Sequence, residues 1–109
     1  MVANTLRMVL MVNRHRVEIV ESGESAMALY AEGKYDLVIT DFLMSGMDGL
    51  ELARLIKERV PQQPIVVVTA HAETVSKDDR RRLHIEAVLE KPFSVEQLQE
   101  VLAAIFPGG

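Results

Sequence analysis

The chain has 109 residues, no cysteine and a net charge of −4, from 12 basic and 16 acidic side chains. With 49% apolar and 26% charged residues, it has the makeup of one globular domain with one core and not of a disordered segment. Disulfides, Cys-ligated metals and thiol chemistry are excluded, and the acidic balance with 5% aromatic residues argues against a direct nucleic-acid surface. The apolar run Met8–Val12 falls far short of the ~20 residues of a membrane span. No charged head precedes a long apolar stretch, so a cytoplasmic protein without membrane attachment is expected.

Short β-branched runs alternate with helical stretches, the pattern of βαβ units and a parallel sheet covered on both faces. Val2, Leu6, Val9 and Leu10 share one helical face, which predicts a helix over 2–13. Residues 17–20 read as a short strand. A helix follows over 23–32, with Gly33 suited to its left-handed end. Residues 36–40 form a strand ending at Asp41. Asp48 and Glu51 form a capping pattern for a helix that stops near Val60-Pro61. Ile65-Val66-Val67-Val68 is apolar throughout, as a strand buried on both faces should be. A weaker helix over 73–83, a strand over 87–89 and a final helix complete the chain. That last helix is capped by Ser94 and Gln97 and carries Leu98, Val101, Leu102 and Ile105. Four strands and five helices result, and the series begins with a helix where a parallel α/β domain normally begins with a strand.

In open α/β sheets, ligands bind beyond the carboxyl ends of the strands. Asp41, Thr69 and Lys91 fall at three such ends. A carboxylate nucleophile with an ammonium and a hydroxyl to hold phosphoryl oxygens suits phosphoryl transfer to Asp41. The segment Asp36-Leu37-Val38-Ile39-Thr40-Asp41-Phe42-Leu43-Met44-Ser45-Gly46-Met47-Asp48-Gly49 closely resembles the phospho-acceptor segment of response-regulator receiver domains of the chemotaxis-regulator kind. Val67-Val68-Thr69-Ala70 is similar to their switch-threonine segment, and Lys91-Pro92-Phe93 to their lysine motif. The separations, 28 positions from Asp41 to Thr69 and 22 from Thr69 to Lys91, resemble the family's as well.

The resemblance implies a doubly wound, flavodoxin-like fold with strand order 2-1-3-4-5 and a cis Lys91–Pro92 peptide. It implies a signalling switch and not a turnover enzyme. Asp41 would take a phosphoryl group from a phosphohistidine on a sensor histidine kinase or histidine phosphotransfer protein, and Thr69 would then move inward. It also implies Mg²⁺, held by Asp41, the Leu43 carbonyl and an acidic pair after the first strand. That strand and that pair are not found here, because no Asp or Glu precedes Glu18. The expected domain, 1–109, is therefore an N-terminally truncated receiver with four strands, weak Mg²⁺ binding and poor phosphorylation. The alternative is a phosphorylation-impaired pseudo-receiver that acts only as a protein-interaction module.

Loss of an interior strand leaves three routes to a closed sheet. The strands at 17–20 and 37–40 could pair directly, a partner copy could supply a strand in a homodimer or swapped dimer, or Thr5–Val12 could refold as a strand. Family spacing and the apolar stripe favour the helix. Val88 stands where many relatives carry a switching aromatic, and Ser45 where many carry Pro. Arg80-Arg81-Arg82, balanced by Asp78-Asp79, reads as the solvated face of a helix. His15, His71 and His84 lack metal-ligand spacing.

Overall fold

The computed structural model describes residues 8–12, 16–20, 23–32, 35–42, 48–71, 73 and 75–106. Its elements, in chain order, are β1 (Met8–Val12), β2 (Arg16–Val20), α1 (Gly23–Glu32), β3 (Leu37–Asp41), α2 (Gly49–Arg59), β4 (Ile65–Thr69), α3 (Lys77–Leu83), β5 (Ala87–Glu90) and α4 (Val95–Ile105). They build one five-stranded sheet in the order β2-β1-β3-β4-β5. The α/β class and the 2-1-3-4-5 order are those the resemblance implies. Among the described residues, no helix is long and apolar enough to cross a membrane.

One expectation is corrected. Met8–Val12, read as part of a helix over 2–13, is a strand, so the sheet has five strands where four were expected. It runs antiparallel to both neighbours, with Leu10 opposite Glu18 on β2 and Val38 on β3. The connection explains the direction. Only residues 13–15 separate β1 from β2, whereas a parallel crossover needs a dozen residues or more. The physical reason for the strand is the same apolar run that suggested a helix. Met8–Val12 is apolar at every position, and a short run of that kind fits an interior strand as well as a helix turn. An empty place beside β3 decides the matter, because unpaired backbone groups in a sheet interior are costly. The sheet thus closes within one chain by the third route. Residues 2–7 and 13 of the expected helix, and Gly33, lie outside the described residues.

β3, β4 and β5 are parallel. Alternate residues along β3 and β4 point to opposite faces. Val38, Ile65 and Val67 meet Ala26 and Tyr30 of α1, Leu52, Ala53 and Ile56 of α2, and Leu83 of α3. Leu37, Ile39, Val66 and Val68 join Leu89 on the other face, where Leu98, Val101, Leu102 and Ile105 of α4 pack. Both faces of this part of the sheet are covered, as its unbroken apolar strands require.

The caps follow the sequence. The Asp48 side chain accepts from Glu51 N at 2.8 Å, and Ser94 and Gln97 form a reciprocal capping box on α4. α3 is shorter than the 73–83 expected. Ser76 caps it by accepting from Asp79 N at 3.0 Å, and a cap residue has non-helical backbone, so the helix starts at Lys77.

Candidate acceptor site at the carboxyl edge

β3 ends at Asp41 and β4 at Thr69, and β5 is followed directly by Lys91. Asp41 lies opposite Val68, and Thr69 lies opposite Glu90. Two backbone bonds carry this register past the strand ends. Phe42 N donates to Val68 O, and Lys91 N donates to Thr69 O, each at 2.7 Å. The Lys91–Pro92 peptide is cis, as the resemblance implies.

The structure brings Asp41 and Lys91 into contact, Nζ to Oδ1 at 2.7 Å. The Asp41 side chain is 3% exposed and that of Lys91 24%. A carboxylate withdrawn this far from water needs a cation or it would be neutralised, and Lys91 supplies one from across two strands. The Thr69 hydroxyl is buried at the next strand end. It donates to the His71 carbonyl and accepts from His71 N, both at 3.2 Å. This is a local turn of the kind threonine often makes, and it ties the hydroxyl to the segment leading towards α3.

Two neighbours were not singled out in the sequence. Thr40 donates its hydroxyl to the Asp41 carbonyl at 2.9 Å. Gly49, the first residue of α2, approaches that carbonyl so closely that a Cβ would stand 2.5 Å from its oxygen. Gly49 N also donates to Phe42 O at 2.7 Å. A glycine directly after a cap residue, at a position any helix former could take, was the available signal for such a close approach.

Leu43, expected to offer a carbonyl to Mg²⁺, lies outside the described residues. Among the described residues, no group of three His, Asp or Glu side chains gathers to hold a metal ion. Asp41 already faces an ammonium. Mg²⁺ asks for near-octahedral oxygen ligation, commonly from carboxylates and phosphate, and the described residues do not fit that demand. What remains is a buried carboxylate with a positive charge beside it and a hydroxyl at the adjoining strand end.

Comparison with known proteins gives a consistent result. The response regulator receiver domain profile matches residues 1–103. The transcriptional regulatory protein ResD of Bacillus subtilis is 32% identical over 85% of this chain and 38% of its own length. The chemotaxis protein CheY of Pseudomonas aeruginosa is 30% identical over 79% of this chain and 71% of its own. The crystal structure of response regulator protein TrrA from Thermotoga maritima, in complex with Mg²⁺-BeF, superposes with a TM-score of 0.72 at 30% identity. That match covers 81% of this chain and 75% of TrrA. The chain spans well under half the length of ResD.

Proposed function

This chain belongs to the response regulator receiver domain family, and on that premise we propose that Asp41 accepts a phosphoryl group from a phosphohistidine. The donor would be a sensor histidine kinase or a histidine phosphotransfer protein. The observation that carries this reading is the 2.7 Å contact of Lys91 with the buried carboxylate of Asp41. In the transfer, an Asp41 carboxylate oxygen bonds to phosphorus as the phosphorus–nitrogen bond breaks. The imidazole leaves with the bonding pair, neutral when its other nitrogen carries a proton. Asp41 gives up its charge to the acyl phosphate, and the Lys91 ammonium then serves the phosphoryl oxygens. Thr69 follows by exchanging its bond to the His71 carbonyl for one to the phosphoryl group. That exchange moves the residues that lead into α3, so a local charge change biases an outer surface. The unit so described is a switch that is itself modified.

The metal donors favour a second reading. Among the described residues no group of three His, Asp or Glu side chains gathers to hold a metal ion, so Mg²⁺ binding should be weak and phosphorylation slow. In the limit, the chain is a pseudo-receiver that only binds partners.

Labelling by acetyl phosphate, followed by intact mass, tests both. The wild type should gain one hydroxylamine-labile phosphoryl group, slowly, and Asp41→Asn none. Lys91→Ala should lower the rate by roughly 100-fold, as removal of one transition-state donor does. Label that persists in Asp41→Asn overturns the assignment of Asp41. A wild type that takes no label even with Mg²⁺ present leaves the interaction module as the reading.

A further inference from the structure

The peptide that leaves Asp41 is held from several directions. Its carbonyl accepts the Thr40 hydroxyl at 2.9 Å. Its N–H, that of Phe42, donates to Val68 O at 2.7 Å. Gly49 closes another side, because a Cβ there would stand 2.5 Å from the same carbonyl oxygen. The peptide that enters Asp41 is fixed as well, since Thr40 and Asp41 stand opposite Val67 and Val68 in the parallel ladder. With both flanking peptides held, φ and ψ of Asp41 are set. Rotamer choice depends on φ and ψ, so the backbone selects the side-chain direction that brings the carboxylate to Lys91 Nζ at 2.7 Å.

Within this clamp, the Thr40 bond is the one made by a side chain. Thr40 is wholly buried. Strand alternation puts it on the side of Val38, which faces α1 and α2, and puts Asp41 on the other side. Packing in that row does not ask for a hydroxyl. Valine has the same shape, suits a strand as well and would bring no polar atom into the core, where a hydroxyl is costly unless it is bonded. The hydroxyl adds a bond to the Asp41 carbonyl that valine could not make.

We propose that Thr40 is a positioning residue for the acceptor: its hydroxyl fixes ψ of Asp41 and so aims the carboxylate at Lys91. The inference rests on the reading of Asp41 as the phosphoryl acceptor. The hydroxyl lies on the opposite side of β3 from the carboxylate, so it acts through the backbone and not on the reacting atoms. Thr40, Gly49 and Val68 then divide the work. Gly49 leaves room for the carbonyl, Val68 holds the far end of the peptide, and Thr40 sets its rotation.

Acetyl phosphate labelling of Thr40→Val and Thr40→Ser tests the proposal, with the Asp41 carboxylate ¹³C resonance as a second readout and thermal melts by circular dichroism as a third. Thr40→Val keeps the shape and loses the bond. It should label roughly tenfold more slowly than the wild type, since misplacing a reacting group by about 1 Å can cost about 100-fold. Its Asp41 resonance should move towards the position found in Lys91→Ala. Thr40→Ser keeps the bond and loses a buried methyl. Its melting temperature should fall, while its labelling rate and its resonance stay at the wild-type values. A purely structural role would instead make labelling follow melting temperature in both variants, and that result overturns the proposal. So does a Thr40→Val that labels at the wild-type rate or keeps the wild-type resonance. A wild type that takes no label at Asp41 defeats the acceptor reading, and the resonance then decides by itself whether Thr40 aims the carboxylate.

Discussion

At the scale of single residues, the candidate acceptor site depends on an absent side chain as much as on those present. The Asp41 carbonyl is held by the Thr40 hydroxyl and crowded by Gly49. In Gly49→Ala the new methyl would meet Asp41 O at 2.5 Å and Phe42 Cα at 3.2 Å. Both are backbone atoms and cannot rotate away, so β3 and α2 must separate at their junction. We expect a loss of roughly 1–3 kcal/mol, the usual cost of overpacking, measured by urea denaturation. Labelling at Asp41 should fall further than the unfolded fraction accounts for, because its carboxylate moves relative to Lys91. A variant as stable and as reactive as the wild type would contradict this role. The strand-end positions of Asp41, Thr69 and Lys91 were legible in the sequence, because Asp41 and Thr69 close apolar strand runs and Lys91 follows one directly after Glu90. Gly49 was not singled out, because its meaning lies in what stands opposite, and that is set by tertiary packing.

At the scale of elements, side-chain chemistry that acts within a few residues was readable, and contacts across the chain were not. Asp48 with Glu51, and Ser94 with Gln97, cap the helices that they announce. His84 ends α3 at φ 55° without being a glycine. Two bonds hold it there, its own N–H to the Arg81 carbonyl at 3.2 Å and its carbonyl from Lys57 Nζ at 2.8 Å. Lys57 belongs to α2, so no local pattern could foretell the cap. α1 is fastened in a similar way. Tyr30 donates to Gln63 Oε1 at 2.8 Å, in the segment between α2 and β4, and both residues are buried. Burial holds the Tyr30 hydroxyl above its usual range, with Arg59 pulling the other way. The folded state therefore keeps this proton to higher pH than the unfolded chain does. Its contribution to stability is complete below the ordinary tyrosine value near 10 and is lost as pH rises through the folded value. Melting temperature should fall across that alkaline window. In Tyr30→Phe the fall should be shallower, although the variant starts about 1–3 kcal/mol less stable because Gln63 loses its donor. An equally steep alkaline fall in Tyr30→Phe would assign the titration to another group.

At the scale of the whole molecule, strand order was foreseeable and strand direction was not. The receiver likeness of the segments around Asp41, Thr69 and Lys91 implied 2-1-3-4-5, and the sheet has that order. What occupies the second place could not be decided from Met8–Val12 alone, because five apolar residues satisfy a helix stripe and a buried strand equally. The competition is settled by pairing partners more than twenty positions away, at Leu37–Thr40. Because the chain has no cysteine, this arrangement can be tested by cross-linking without interference. Leu10 and Val38 are direct partners in the antiparallel ladder, where opposed Cα atoms lie about 4.5–5.5 Å apart, within the range a disulfide spans. Leu10→Cys with Val38→Cys should oxidise readily to a monomeric, cross-linked product, seen as a mobility shift on a non-reducing gel. Met11→Cys with Val38→Cys should not, since one step along the strand turns the side chain to the other face. If Met8–Val12 were helical, the two pairs would not differ in this way. If the strand were exchanged between two copies, the Leu10–Val38 pair would form a covalent dimer. A monomeric cross-link thus requires both the antiparallel register and a sheet closed within a single chain.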